Sequence, residues 1–492
     1  MIIMTTDRIL EIFKEILTIP RESGHEEHII AYLQNWAKEH NLECKTDEAG
    51  NVLITKPASK GRENSPTVIL QSHSDMVCEK NAGVQHDFAK DPIIAVEENG
   101  WLIAKETTLG ADCGIGIAAQ LAVLEDENLE HGKIEALFTT EEETGLTGAM
   151  SLKPGFITGN TLINLDSEDE GELFIGCAGG MDTTAEFKYT TVPATEEYMK
   201  CEFKIFGGQG GHSGDDIDKN RANAVKVLAR FLYNALDKHN IELYEIDGGN
   251  KRNAIAREAY AVIGFKKRDK NSILKIFNTL LAEVKDEYRI TDSNIDGAVG
   301  EVGIWDVKEG KCIGGPKKAV DPNTSACLIY ALCAAPHGVL GMSNDMPGLV
   351  ETSTNLASVK MLPKNIIRIG TSQRSSVNSC KNYAAKHVEA CFALAGAVVK
   401  HNSQYPGWKP KLDSHILEVS KAAYKKLFDK EPIVRAIHAG LECGLFLDIY
   451  PNLDMISFGP TLRGVHAPGE RLELASLNKF RKLLEEVIVN LK

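Results

Sequence analysis

At 492 residues the chain is too long for one compact core and should divide into at least two domains. Its 43% hydrophobic and 25% charged residues are those of a globular protein, and a formal charge of −14 without a basic stripe excludes nucleic acid as a partner. No stretch reaches the roughly 18 apolar residues of a membrane span, and the start lacks the basic, apolar and small-residue regions of a secretory leader.

The eleven cysteines are odd in number and include no C-x-x-C pair. Cys327, Cys333 and Cys391 lie in apolar segments and are expected to be buried. A reducing, cytoplasmic compartment follows.

Residues 7–18 place Ile9, Leu10, Ile12, Phe13, Ile16 and Leu17 at helical spacing before Pro20 stops the run, and 26–39 repeat the pattern with Ile29, Ile30, Leu33 and Trp36. Short strands are predicted over 44–46, 52–56 and 67–71, where Val68, Ile69 and Leu70 lead to His73 and Asp75. Side chains alternate along extended chain, so this His and Asp face the same way. A glycine-rich turn at 108–116 carries Asp112 into a helix of small and aliphatic residues, and its glycine spacing does not fit a dinucleotide fingerprint.

The strand at 133–140 runs into Glu141, Glu142 and Glu143, and a strand at 161–165 ends at Asp166. From about 184 the pattern changes to strands at 201–206, 241–246, 260–265, 356–362 and 365–372, with helices at 221–239, 273–288, 327–335 and 380–399. We read 185–400 as a separate α+β domain, with room for two related halves but no clear repeat. The segment 401–492, with helices at 414–428 and 476–491 and short strands near 433 and 454–458, should rejoin 1–184, because alone it would make a thin core.

Several apolar strands thus end in a carboxylate or imidazole, where open α/β sheets build their sites. Carboxylates that close together repel unless a cation sits among them. His73, Asp75, Asp112, Glu142, Glu143, Asp166 and His466, the last in Gly-Val-His-Ala-Pro-Gly-Glu at 464–470, form a ligand set suited to zinc, manganese or cobalt. Two metals need a shared bridge, which one carboxylate can supply, and adjacent glutamates on a turn can divide metal binding from proton transfer.

The order H-x-D, an Asp in a glycine-rich turn, E-E-x-G, a further Asp and a late H-A-P-x-E resembles the di-zinc metallopeptidase family of aminoacylases, carboxypeptidases and dipeptidases, over nearly the whole chain. Within it the chain resembles the branch that hydrolyses Xaa-His and other dipeptides; an N-acyl-amino-acid deacylase with the same metal site is the alternative. The resemblance implies an α/β, zinc-exopeptidase-like catalytic domain with a mixed sheet flanked by helices, from 1–184 and 401–492, and an inserted α+β lid and dimerisation domain at 185–400.

Residue by residue, it implies two divalent metals, zinc above manganese or cobalt. His73 and Asp166 would hold one, Glu143 and His466 the other, and Asp112 would bridge them. Asp75 would orient His73 and Glu142 would be the general base, with a one-place slip to Glu141 and Glu142 as the alternative register. His212 of the Gly-Gly-His-Ser-Gly motif is implied as an oxyanion-stabilising group, Asn253 and Arg374 as holders of the substrate carboxylate, and Gly440 and Glu442 as contacts at its amino end. Ala256 departs from the branch's usual proline. Expected partners are dipeptides and a second copy in a homodimer, with neither nucleic acid nor membrane. His25, His40, His131, His239 and His387, and the acidic turn Glu168-Asp-Glu170, are read as solvated surface.

Overall fold

Four parallel strands form the middle of an eight-stranded sheet in the computed structural model of the chain, which describes residues 3–492. The chain divides into two compact units. One runs to Cys177 and adds Trp408–Ala436 and Leu441–Lys492; the other is Ala178–Gly407 with Ile437–Gly440.

In the first unit the strand order is Glu43–Thr46, Val52–Lys56, Ile134–Thr139, Val68–His73, Thr161–Asn164, Asp454–Ser457, Glu172–Cys177, Ile433–Ile437. The strands from Ile134–Thr139 to Asp454–Ser457 are mutually parallel, so their C-terminal ends share one edge. Val68–His73 and Ile134–Thr139 are buried at every position, which explains their unbroken apolar character: a parallel strand covered on both faces has no polar side to present. The helix Ala111–Glu125, almost wholly buried, packs against Val68–His73 and against the helix Thr6–Ile16. Thr5 caps the latter by accepting from the Arg8 N–H at 3.0 Å.

A small sheet orders Leu462–Arg463, Arg471–Glu473, Trp101–Ile103 and Val96–Glu98, and His466 sits in the loop joining its first two strands. The three-residue strands at 96–98 and 101–103 are too short to show a sequence period.

The second unit is built on a nine-stranded antiparallel sheet, in the order Asp296–Glu301, Tyr198–Phe206, Ala259–Lys266, Ile241–Gly249, Val350–Leu362, Ile366–Ser375, Gly179–Lys188, Val398–Tyr405, with Gly338–Met342 beside Val350–Leu362. Its two halves join through only three residue pairs, Asp247 to Gly249 with Lys360 to Ser358. The helices Ala224–Lys238, Lys270–Glu287, Pro322–Ala334 and Asn378–Leu394 cover an apolar core that includes Phe203, Phe231, Phe265 and Phe277.

The unit therefore runs from 178 to 407 and also takes in 437–440, where the sequence reading gave 185–400. The strand Gly179–Lys188 already belongs to its sheet, and Val398–Tyr405 is an edge strand where the helical reading continued to 399. Cys327, Cys333 and Cys391 are half-buried rather than buried. Among the described residues no helix is long and apolar enough to cross a membrane.

Candidate active site

Every acidic or imidazole residue read from the strand ends converges on the C-terminal edge of the first unit's sheet. His73 ends its strand at 1% exposure. Its Nε2 lies 2.9 Å from Asp112 Oδ1 and 3.3 Å from Asp166 Oδ1. On the other side of Asp112, Oδ2 lies 3.1 Å from His466 Nε2, which is also 2.9 Å from Glu143 Oε1. Asp112 thus turns one oxygen to each histidine, and each histidine has a second carboxylate of its own.

These spacings match the donor-to-donor edge of about 3.3 Å in a tetrahedral site with bonds of roughly 2.0–2.1 Å. Charge points the same way. Asp112 and Glu143 push His466 up to about 11, and although burial opposes it, Asp166, Asp112 and Asp75 hold His73 well above its usual value. Burial pushes Asp166 up to about 6, with Asp112 adding to it and His73 opposing. A cluster that draws protons onto two imidazoles is short of positive charge, so nitrogen and oxygen donors and electrostatics all fit two divalent cations. Cys113 lies in the same cluster, but burial and Asp166 push its thiol far up and it donates to the Leu165 carbonyl at 3.4 Å.

Asp75 lies behind His73, its Oδ1 3.2 Å from Nδ1, within ion-pair reach but not aligned as a hydrogen bond. It also accepts from Ser23 Oγ at 2.7 Å and from the N–H groups of Glu142 and Glu143 at 3.1 and 3.2 Å. One buried carboxylate therefore lies against the His73 ring and holds the acidic turn. Against the cost of burial, His73, Ser23 and the Glu142 N–H bring it to about 2.

Glu141 has φ of 49°, which turns it aside, and Glu26 Oε1 accepts from its N–H at 2.9 Å. Glu143 is the residue of the turn that faces His466. Burial, reinforced by Asp166, Glu143 and Glu442 and opposed by His73, raises Glu142 well above the carboxylate range.

The rest of the support was not visible in sequence. Glu470, 2% exposed, accepts from the N–H groups of Leu109 and Gly110 through Oε2 at 2.7 and 2.9 Å, and from those of Ala111 and Asp112 through Oε1 at 2.8 and 3.3 Å. Its place in H-A-P-x-E was the only available signal. Two residues before His73 and Asp166, Gln71 and Asn164 hydrogen-bond each other at 2.5 Å. Gln71 Nε2 and Thr139 Oγ1 donate to Glu442 Oε2 at 2.6 and 2.8 Å.

Glu442 is wholly buried, and burial pushes it up to about 8. Through Oε2 it braces the strands beneath the candidate ligands, while its buried Oε1 has no hydrogen-bond partner. Glu168 is only part-exposed rather than solvated, and burial, then Asp112 and Asp166, push it up to about 8. His131 is likewise buried, its Nδ1 2.6 Å from the Gly132 carbonyl.

The second unit gathers His212, Arg374, Asn253 and Gly440. Arg374 Nε donates to Ser213 Oγ at 3.2 Å and Nη1 to Tyr405 Oη at 3.2 Å, while Nη2 lies 3.4 Å from His212 Nε2. Asn253 is exposed, its carbonyl accepting from the Ser213 N–H at 2.8 Å. A Cβ at Gly440 would lie 3.0 Å from the Tyr405 ring. His438, also in this group, is 6% exposed, its Nε2 2.7 Å from Ser353 Oγ and its Nδ1 without a hydrogen-bond partner.

Residues 69–490 match the sequence model of Peptidase family M20/M25/M40. The chain is similar to the cytosol non-specific dipeptidase of Escherichia coli (strain K12), 40% identical over 481 residues that span 97% of this chain and 96% of that one. Among solved structures it is similar to the aminoacylhistidine dipeptidase of Vibrio alginolyticus, with a TM-score of 0.89 and 36% identity over 99% of this chain and 96% of the other. Aminopeptidase PepT of Bacillus cereus shares the fold, with a TM-score of 0.57 and 17% identity over 99% and 98%.

Proposed function

The chain belongs to Peptidase family M20/M25/M40, and from that premise we propose that it is a metal-dependent dipeptidase hydrolysing the peptide bond of Xaa-His and other dipeptides. The observation that carries the reading is Asp112, which presents one oxygen to His73 and the other to His466, each beside a further carboxylate. His73 and Asp166 would hold one cation, Glu143 and His466 the second, with Asp112 common to both. Zinc suits this donor set, and manganese and cobalt are accommodated by it. When bound, the pair supplies Lewis-acid polarisation of the scissile carbonyl and a water acidic enough to be deprotonated near neutrality.

The chain's own residues do the rest. A carboxylate oxygen of Glu142 takes a proton from the attacking water and delivers it to the departing amide nitrogen. Without metal, burial and neighbouring carboxylates raise its affinity for a proton. Asp75 keeps the Glu142-Glu143 turn and the His73 ring in place.

From the second unit we assign Arg374 and Asn253 to the substrate's terminal carboxylate, His212 to the developing oxyanion, and Gly440 to the substrate's amino end; the unit as a whole is read as lid and dimerisation module. Support for Arg374 comes from its fork, held by Ser213 and Tyr405 and suited to bidentate pairing with a carboxylate. A cytoplasmic location fits the cytosolic relative.

The test is a substrate panel on metal-loaded protein. Ala-His, β-alanyl-histidine and Gly-Gly should be hydrolysed and N-acetyl-histidine should not, with Glu142→Gln folded, metal-loaded and inactive. Preferential hydrolysis of N-acetylated amino acids would replace the dipeptidase reading by the deacylase one.

A further inference from the structure

Arg21 follows Pro20 at the end of the first helical segment, and nothing in the sequence marks it. It is nonetheless 1% exposed. Its Nη1 donates to the carbonyls of Ser74 and Asp75 at 3.3 and 2.7 Å, and its Nη2 to the carbonyl of Gly110. Its own carbonyl accepts from the Met76 N–H at 3.0 Å. One guanidinium thus ties the segment that leaves His73 to the turn that carries Asp112. Glu470, from the loop bearing His466, grips the N–H groups of that same turn.

The space is fitted to this side chain. A Cβ at Gly110 would lie 2.4 Å from Arg21 Nη2, and one at Gly114 2.6 Å from it. Every hydrogen bond made by the guanidinium goes to main chain, so it fixes the path of two segments rather than any one side chain. Burying a guanidinium costs more than burying an apolar group of similar volume. Charge and a rigid fork at this place therefore need a use beyond filling space.

The geometry points to Arg21 as a positioning residue for the metal pair, setting the distance between His73 and Asp112 and so the tightness with which the cations are held, without touching cation or substrate. This rests on the metal-dependent reading given above. Because Asp112 is shared, the affinity of both cations should depend on it.

The experiment measures zinc affinity of the full chain by competition with a chromogenic chelator, beside the thermal midpoint, for wild type, Arg21→Lys and Arg21→Met. Phe480→Leu, at a buried position of the C-terminal helix, is the control for general destabilisation. Arg21→Met should weaken zinc binding by roughly 10- to 100-fold, the range for groups that orient ligands from behind, with Arg21→Lys intermediate. Phe480→Leu should lower the midpoint and leave affinity unchanged.

Unchanged zinc affinity in the Arg21 variants, or an equal loss in Phe480→Leu, overturns the inference. If neither Arg21 variant folds, Phe13→Leu/Gly114→Ala compared with Phe13→Leu alone decides, since leucine withdraws the Phe13 ring 2.9 Å from the added methyl and leaves the guanidinium displaced. Equal affinity in that pair overturns the inference too. Wild type that binds no divalent metal overturns the metal reading itself, a distinguishable outcome.

Discussion

Replacing Glu470 by glutamine changes one oxygen to an NH2 and almost nothing else in shape. Each carboxylate oxygen accepts from two backbone N–H groups of the Leu109–Asp112 turn, so whichever becomes nitrogen meets two donors it cannot accept from. Hydrogen bonds to a charged acceptor contribute roughly 1.5–3 kcal/mol each. Losing two of them, with some relaxation, should cost about 3–5 kcal/mol, a large share of a typical folding stability of roughly 5–15 kcal/mol. The buried Arg21 also loses negative charge nearby. Urea unfolding of chelator-treated protein, followed by circular dichroism, reads the loss in the first unit's transition. A Glu470→Gln variant within about 0.5 kcal/mol of wild type, the usual range of a neutral surface change, would refute the claim that this carboxylate holds the ligand turn.

Asp75→Ala should keep measurable zinc binding while losing most activity, because it frees the Glu142-Glu143 turn without removing a ligand, whereas His73→Ala should lose a metal outright; metal content and turnover of the two variants separate these. Zinc binding should release protons, since Asp112 and Glu143 raise His466 to about 11 and the carboxylates beside His73 raise it against the effect of burial; apparent affinity should rise with pH from 6 to 9, and calorimetry in buffers of different ionisation enthalpy counts the protons. Glu442, raised to about 8 by burial, contributes stability that is complete below its unfolded value near 4.5 and is lost as pH rises to about 8. Glu442→Gln should remove that pH dependence in metal-free protein and be more stable than wild type at pH 8, by at most roughly 3–5 kcal/mol, as read by denaturant midpoints across pH.

The candidate metal ligands were legible because each ends an apolar strand or sits in a turn whose residue types are unusual together. His73, Asp112 and Asp166 fall in one group of the folded chain and Asp112, Glu143 and His466 in another, with Asp112 in both. Their supports were not legible. Arg21 and Glu470 act through main-chain contacts, and a lone arginine after a proline looks the same whether buried or solvated. Glu168 was read as surface because a run of three acids suggests solvent, a reading that only the folded position of Asp112 and Asp166 corrects.

Strand prediction failed where side chains carry little period. Gly179–Lys188 starts with two glycines whose hydrogens face Tyr405 and Gly407, and Val398–Tyr405 is an exposed edge that reads as the continuation of an amphipathic helix. The domain limits shifted by about seven residues at each end for that reason.

The most direct measurement is a titration of chelator-stripped enzyme with zinc, following Ala-His hydrolysis against metal equivalents per chain. Turnover should be absent without metal and should develop as occupancy approaches two. Full activity in the stripped protein, or saturated metal with no hydrolysis of any dipeptide, would contradict the metal-dependent dipeptidase reading.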